Sequence, residues 1–237
     1  MHDLINVSGI PGFREPVSCF SHLVAAVVFA VLGIFLLRRG RGCWRRTLSL
    51  AVLVFASVFL LSMSATYHML PHGPGREVMR RLDVAAVFVL IAGTATPIHV
   101  ILFHGVARWL PLLLMWSVAA TGITLRTVFA GSLPVGLGST LFLMIGWMGL
   151  VSCIVLWRRH GFWLVEPLLW GGVAYTVGVI VQWFSGAVLI PQVVGPHELW
   201  HIAVLVGLSL HWKFVFSFAS GTPVLIPSAA THAAGQN

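Results

Sequence analysis

The sequence predicts an all-α membrane protein, a bundle of seven transmembrane helices. Of its 237 residues, 58% are apolar and only 8% are charged, and the mean hydropathy is +0.96. Soluble globular proteins carry about 25% charged residues, so this composition argues against a water-soluble enzyme. High hydrophobicity also excludes intrinsic disorder. The apolar residues form continuous runs of about 20, which is the length of a spanning helix rather than of a β-barrel strand.

The boundaries of the spans follow from the charged and Pro/Gly-rich segments between them. The first span ends at an arginine run over 38–46, and the third follows a loop over 71–82 that contains Pro, Gly and three Arg. Gly, Pro and Ser at 131–138 precede the fifth span, and prolines at 191–196 precede the seventh. The predicted spans are 17–37, 47–70, 83–103 (with Pro97 as a kink), 109–125, a fifth ending at Trp157, 164–189, and 197–218.

One membrane domain is predicted, because no soluble segment is longer than about twenty residues. It covers 17–218, with an N-terminal segment over 1–16 and a flexible C-terminal tail over 219–237. The net charge of +8 does not indicate nucleic-acid binding, because the basic residues lie between apolar runs, where they set membrane orientation. We expect membrane lipids as partners and no nucleic acid. The first apolar run is long enough to remain as a span rather than a cleaved signal peptide.

Several polar and ionisable side chains, whose burial in a membrane costs free energy, lie at one end of the predicted bundle. We call the side of the membrane on which the N-terminus lies the N-terminal face. Odd-numbered spans begin on this face, and even-numbered spans end on it. Ser64 and His68 close the second span, Asp83 opens the third, and His197 and His201 open the seventh. Each of the pairs 64/68 and 197/201 is four residues apart and lies on one helical face. Ionisable groups inside a membrane are functional candidates by default, so these five residues predict a site.

The chemistry of this set favours zinc. Three imidazoles on His68, His197 and His201 would leave a fourth zinc position for water, as catalytic zinc sites do. Zinc lowers the pKa of that water to about 7, and a nearby carboxylate can take its proton. We assign that role to Asp83, with Ser64 as its hydrogen-bonding partner. Helix–helix hydrogen bonding is the alternative for any single histidine, and for His22 it is at least as plausible as metal binding.

Residues 197–201 also fit the HExxH pattern of zinc peptidases, in which the Glu is the general base. An intramembrane protease of the site-2 class would add an Asp from another helix. In that class the Asp follows HExxH and precedes Gly, whereas Asp83 precedes His197 and is followed by Val84. The peptidase hypothesis also leaves Ser64 and His68 without a role. It is therefore the weaker alternative.

Several segments together resemble the haemolysin III family, the bacterial branch of the progestin and adipoQ receptor proteins. Three of the matching motifs are SxxxH at 64–68, an Asp-led third span at 83–97, and HxxxH at 197–201 followed by 204–207. The fourth is a first motif with Glu15 and His22, in which Ser18 replaces the usual Asn. The resemblance covers residues 14–216, nearly the whole chain. It implies a seven-helix bundle in a bacterial plasma membrane, with zinc on His68, His197 and His201, and Ser64 and Asp83 beside the zinc-bound water.

The same resemblance places the chain in a superfamily with the alkaline ceramidases. It therefore predicts a zinc-dependent hydrolase of lipid amide or ester bonds, in which Glu198 is not the base. Two alternatives stay open: a receptor-like or membrane-homeostasis protein in which zinc is structural, and a lytic pore. Orientation also stays open. Basic residues are more numerous on the face opposite the N-terminus, which predicts an external N-terminus, whereas adiponectin-receptor-type relatives place theirs inside.

Overall fold

The computed structural model describes residues 15–129, 137–184 and 195–221, and these form eight helices. The bounds are α1 Pro16–Arg39, α2 Trp44–Met69, α3 Pro74–Leu102, α4 Val106–Val128, α5 Leu137–Met148, α6 Leu150–His160, α7 Phe162–Phe184 and α8 Pro196–Phe218. Helices α5 and α6 meet at Gly149 and together make one span, so the described residues contain seven apolar segments long enough to cross a membrane. The seven-helix bundle is confirmed. The predicted end of the sixth span at 189 and both chain termini lie outside the described residues.

The start of the third span was predicted wrongly. The segment 71–82 was expected to be a loop, but α3 begins at Pro74 and Asp83 is its tenth residue. Pro at the first helical position favours this start, because its ring fixes a helical φ and its missing N–H is not needed there. Glu77 then pairs with Arg80 at 2.7 Å and with Arg81 at 3.2 Å, one turn further along. Such pairs stabilise the exposed first turns of a helix.

The helices pack mainly against their neighbours in sequence, and α8 closes the bundle against α1, α3 and α7. One apolar core joins α1, α2, α3 and α8 around buried residues such as Phe29, Leu53 and Leu208. A second core surrounds Phe88 between α3, α4 and α5. Small residues bring the helices close together. A β-carbon added to Gly93 would lie 2.7 Å from that of Ala56 on α2. Packing of this kind is typical of membrane helices, where lipid offers no hydrophobic driving force for association.

Candidate metal centre

Three imidazoles meet between α2 and α8. His68 is the penultimate residue of α2, while His197 and His201 lie one turn apart at the start of α8. The Nε2 atom of His197 is 3.4 Å from Nε2 of His68 and 3.0 Å from Nε2 of His201. One ring nitrogen from each of the three lies within 4.8 Å of the other two. The structure therefore brings together the three histidines that the sequence predicted.

Two of the three separations between these nitrogens suit a tetrahedral metal ion. Zn–N bonds of about 2.0–2.1 Å place the nitrogens of a tetrahedral site about 3.3–3.4 Å apart. The two Nε2 separations of 3.0 and 3.4 Å are close to that value. Imidazole nitrogen suits zinc, copper, iron and nickel, so the group could hold a metal ion without fixing which one.

The Nδ1 atom of each histidine is directed outward toward another polar group. His68 Nδ1 contacts the Glu15 carboxylate, His197 Nδ1 lies 3.5 Å from the amide of Gln182, and His201 Nδ1 lies 2.8 Å from Nε2 of His22. Metal-binding histidines commonly donate their second N–H to an acceptor, as His68 can to Glu15 and His201 can to His22, which fixes the ring and leaves the other nitrogen for the metal. These contacts give Glu15 and His22 a supporting position that the sequence left open.

Glu15 is held in place by Arg76. The guanidinium donates to the Glu15 carboxylate at 2.7 Å and to the carbonyl oxygens of Tyr67 and Leu70 at 2.9 and 2.7 Å. The last two bonds satisfy carbonyls at the C-terminal end of α2, beside His68. Burial raises the pKa of Glu15, but the hydrogen bond from His68 and the nearby charges outweigh it and lower that pKa to about 2. Glu15 therefore stays a carboxylate, the form that accepts a hydrogen bond from an imidazole N–H.

Asp83 and Ser64 lie at the same end of the bundle. Both line a cavity of about 190 Å³ whose wall also includes His22, His197 and His201. The structure therefore places Asp83 and Ser64 on the same cavity as His197 and His201, and Asp83 reaches it from the third turn of α3 rather than from the start of that helix. Their catalytic roles stay predictions.

Glu198 is engaged away from the cavity. One carboxylate oxygen accepts the backbone N–H of Gly195 at 2.9 Å, and the other accepts the hydroxyl of Ser18 on α1 at 3.3 Å. The first contact caps α8 and so fixes the turn that carries His197 and His201. Glu198 is not among the residues that line the cavity. This geometry disfavours the HExxH peptidase hypothesis, whose general base would have to face the substrate.

Gln182 is the member of the site that the sequence analysis missed. It belongs to α7, close to the C-terminal end of the described helix, and nothing in its local pattern distinguishes it from other polar residues at a span end. The closing of α8 against α7 brings it to His197. Because amphipathic spacing within one helix carries no information about this contact, only the tertiary packing reveals it.

The fold and the site together define a multi-pass integral membrane protein with a three-histidine centre. A family model described as Haemolysin-III related matches residues 12–212, so the chain belongs to the haemolysin III family. It is 29% identical to Hemolysin-3 of Bacillus cereus over 170 residues, which cover 70% of this chain and 73% of the relative. It is 28% identical to a Hemolysin-3 homolog of Bacillus subtilis (strain 168), covering 71% of this chain and 76% of the relative. These bacterial relatives and the helical spans support a plasma-membrane location.

Proposed function

We propose that this protein is a zinc-dependent hydrolase that cleaves lipid amide or ester bonds within the membrane. One observation carries the proposal: three imidazoles converge, and two of them, His197 and His201, line a cavity inside the bundle together with a carboxylate and a hydroxyl. A metal site that served packing alone would not require a carboxylate and an internal cavity beside it. Histidine nitrogens and one position left for water are the features of catalytic zinc sites.

The residues of this chain divide the chemistry between them. Zinc, when bound, supplies Lewis acidity and a water molecule of lowered pKa. Asp83 accepts a proton from the attacking water and returns it to the leaving amine or alcohol. Ser64 orients the Asp83 carboxylate through its hydroxyl. With His201 Nδ1 donating to Nε2 of His22, the remaining nitrogen of His22 carries a proton and can donate to a substrate oxygen in the cavity.

The cavity favours a substrate with an acyl chain. Its wall is mainly apolar and follows α3 from Asp83 to His99, a distance of about 24 Å at 1.5 Å per residue. One leaflet of a bilayer contributes about 15 Å to the hydrocarbon core, so this apolar wall is long enough for part of an acyl chain to lie along α3. The polar head of such a lipid would then lie at the histidine end, with its amide or ester bond beside Asp83.

The proposal is tested by metal content and turnover measured on the same preparations. The purified parent should contain about one zinc per chain by elemental mass spectrometry, and it should hydrolyse a member of a panel of N-acyl and ester lipids. His68→Ala and His197→Ala should lose both properties, whereas Asp83→Asn should keep zinc and lose turnover. His104→Ala, an exposed histidine at the opposite face, is the matched control and should keep both. Equal hydrolysis by Asp83→Asn and the parent would overturn the mechanism.

A structural zinc site is the second candidate, and the position of the triad supports it. His68 belongs to α2 and the other two histidines to α8, so a bound ion would tie two helices that are distant in sequence. Under this alternative, the loss of zinc would destabilise the bundle while no lipid of the panel was hydrolysed. A lytic pore has less support, because the cavity wall is mainly apolar and no predicted span carries a repeating polar stripe.

A further inference from the structure

A groove on the outer surface lies between α1 and α8, away from the histidine site. It has a volume of about 820 Å³, and it follows α1 from Phe20 to Leu32 and α8 from Leu205 to Phe216. At 1.5 Å per residue these stretches are about 18 and 17 Å long. That length is close to the hydrocarbon thickness of one bilayer leaflet, about 15 Å. The groove therefore has the dimensions of lipid chains lying along the helices.

Two cationic side chains, Lys213 and Arg39, lie at one end of this groove. Lys213, the single lysine of the chain, lines it and is exposed on the outer surface, five residues before α8 ends. Arg39 ends α1, and its guanidinium carbon lies 6.0 Å from the centre of the Phe216 ring, which also lines the groove. A lysine that faces lipid costs free energy unless its long side chain reaches the headgroup layer. The end of α8 lies about 7 Å beyond Lys213 along the helix, which is within reach of that side chain.

In the part of the chain that the structure describes, no carboxylate forms an ion pair with Lys213 or Arg39. In residues 15–129, 137–184 and 195–221, every ion pair involves Glu15 or Glu77, and neither Lys213 nor Arg39 takes part in one. Within those ranges the single acidic residue that belongs to this face is Glu166 of α7, which does not line the groove. Among the described residues, therefore, no carboxylate is available to pair with Lys213, and an anionic group of a lipid could do so.

We propose that the groove binds an anionic phospholipid, with its acyl chains against Phe20–Leu32 and its phosphate between Lys213 and Arg39. A second copy of this chain fits less well, because parallel pairing through the groove would bring the Lys213 and Arg39 cations of both copies together. Charged pockets between transmembrane helices recognise acidic headgroups in this way. The groove thus supplies shape for the chains and charge for the headgroup, independently of any hydrolase activity.

Native mass spectrometry of the detergent-solubilised protein tests the proposal, with equal amounts of palmitoyl-oleoyl phosphatidylglycerol and phosphatidylcholine as competing probes. The parent should retain one phosphatidylglycerol per chain in preference to phosphatidylcholine. Lys213→Gln combined with Arg39→Gln should weaken phosphatidylglycerol binding about thirtyfold, the effect of two cations near a membrane surface. Arg45→Gln combined with Arg158→Gln removes the same charge from the same face outside the groove, and it should bind as the parent does.

A second variant separates shape from charge. Ser209→Trp fills the groove and leaves both cations in place, so it should also lose phosphatidylglycerol. Three outcomes would overturn the proposal: parent-like binding by the Lys213/Arg39 variant, an equal loss in the Arg45/Arg158 control, or equal retention of the two lipids by the parent. A dimer of the parent that becomes monomeric in Ser209→Trp would also overturn it, because a second copy would then occupy the groove.

Discussion

At the scale of single residues, each histidine of the centre divides its two nitrogens between different tasks. The Nε2 atoms of His68, His197 and His201 converge. The Nδ1 atom of His68 contacts Glu15, that of His197 contacts Gln182, and that of His201 contacts His22. An imidazole without an outer partner could rotate or adopt the other tautomer, and its metal-directed nitrogen would then be lost part of the time. The outer partners are therefore expected to influence metal affinity without touching the metal.

Glu15→Gln tests this expectation. The amide keeps the size of the side chain but removes the charge that favours a proton on Nδ1 of His68, so zinc affinity should fall about 10–100-fold. Competition with a chelator of known zinc affinity measures the change. Glu77→Gln is the matched control, because Glu77 also pairs with arginines on this face but does not contact the triad. Equal zinc affinity in the two variants would show that Glu15 serves only to anchor Arg76.

Glu198→Gln distinguishes a lipid hydrolase of the proposed kind from an HExxH peptidase. Glu198 bonds to the Gly195 N–H and to Ser18, and glutamine can serve at the same capping position. The variant should therefore keep its zinc and hydrolyse lipid within a few-fold of the parent rate, measured by product formation in detergent micelles. A loss of turnover to the level of Asp83→Asn, with zinc retained, would instead identify Glu198 as the general base.

At the scale of elements, α7 and α8 approach closely along glycines. A β-carbon added to Gly171 would overlap the His211 ring and lie 3.1 Å from the carbonyl oxygen of Gly207, whereas one added to the adjacent Gly172 would meet nothing within 4 Å. The ring of His211 has little freedom to move, because its Nε2 lies 3.2 Å from the carbonyl oxygen of Leu168. The close packing of the helix pair that presents His197 and His201 to α2 thus requires a glycine at 171 but not at 172.

The adjacent glycines make a matched pair of variants. Gly171→Ala should destabilise the protein by about 1–3 kcal/mol, the usual cost of overpacking, and lower its melting temperature in detergent. Gly172→Ala should leave the melting temperature unchanged or raise it slightly, because alanine is the better helix former. Thermal unfolding followed by tryptophan fluorescence measures both. Similar melting temperatures for the two variants would mean that α7 and α8 can separate without loss of stability.

At the scale of the whole molecule, the sequence predicted those features of the fold that are determined by the residues of each single helix. Hydropathy predicted the correct number and order of the spans, and the alternating direction of the spans brought His68, His197 and His201 to one face, because both features follow from the bilayer and the helical repeat. The sequence analysis missed Gln182 and the early start of α3, and it left Glu15 and His22 unassigned. Those features depend on tertiary contacts or on local ion pairs near Pro74, and hydropathy does not reveal either.

The triad also joins α2 to α8, two helices that pack mainly on other neighbours, α2 on α1 and α3 and α8 on α7. A bound metal should therefore stabilise the whole fold. Free zinc at 100 times its dissociation constant contributes about 2.7 kcal/mol, which corresponds to a rise in melting temperature of about 5–10 °C for a chain of this size. Thermal unfolding of chelator-treated parent, with zinc added back, measures this rise.

The matched variants identify the source of the stabilisation. His68→Ala removes the α2 ligand, and its melting temperature should not respond to zinc, whereas His104→Ala should respond as the parent does. Magnesium should have no effect on the parent, because it prefers oxygen ligands to imidazole. A zinc response in His68→Ala equal to that of the parent would mean that the ion binds elsewhere, and that the link between α2 and α8 does not depend on the three histidines.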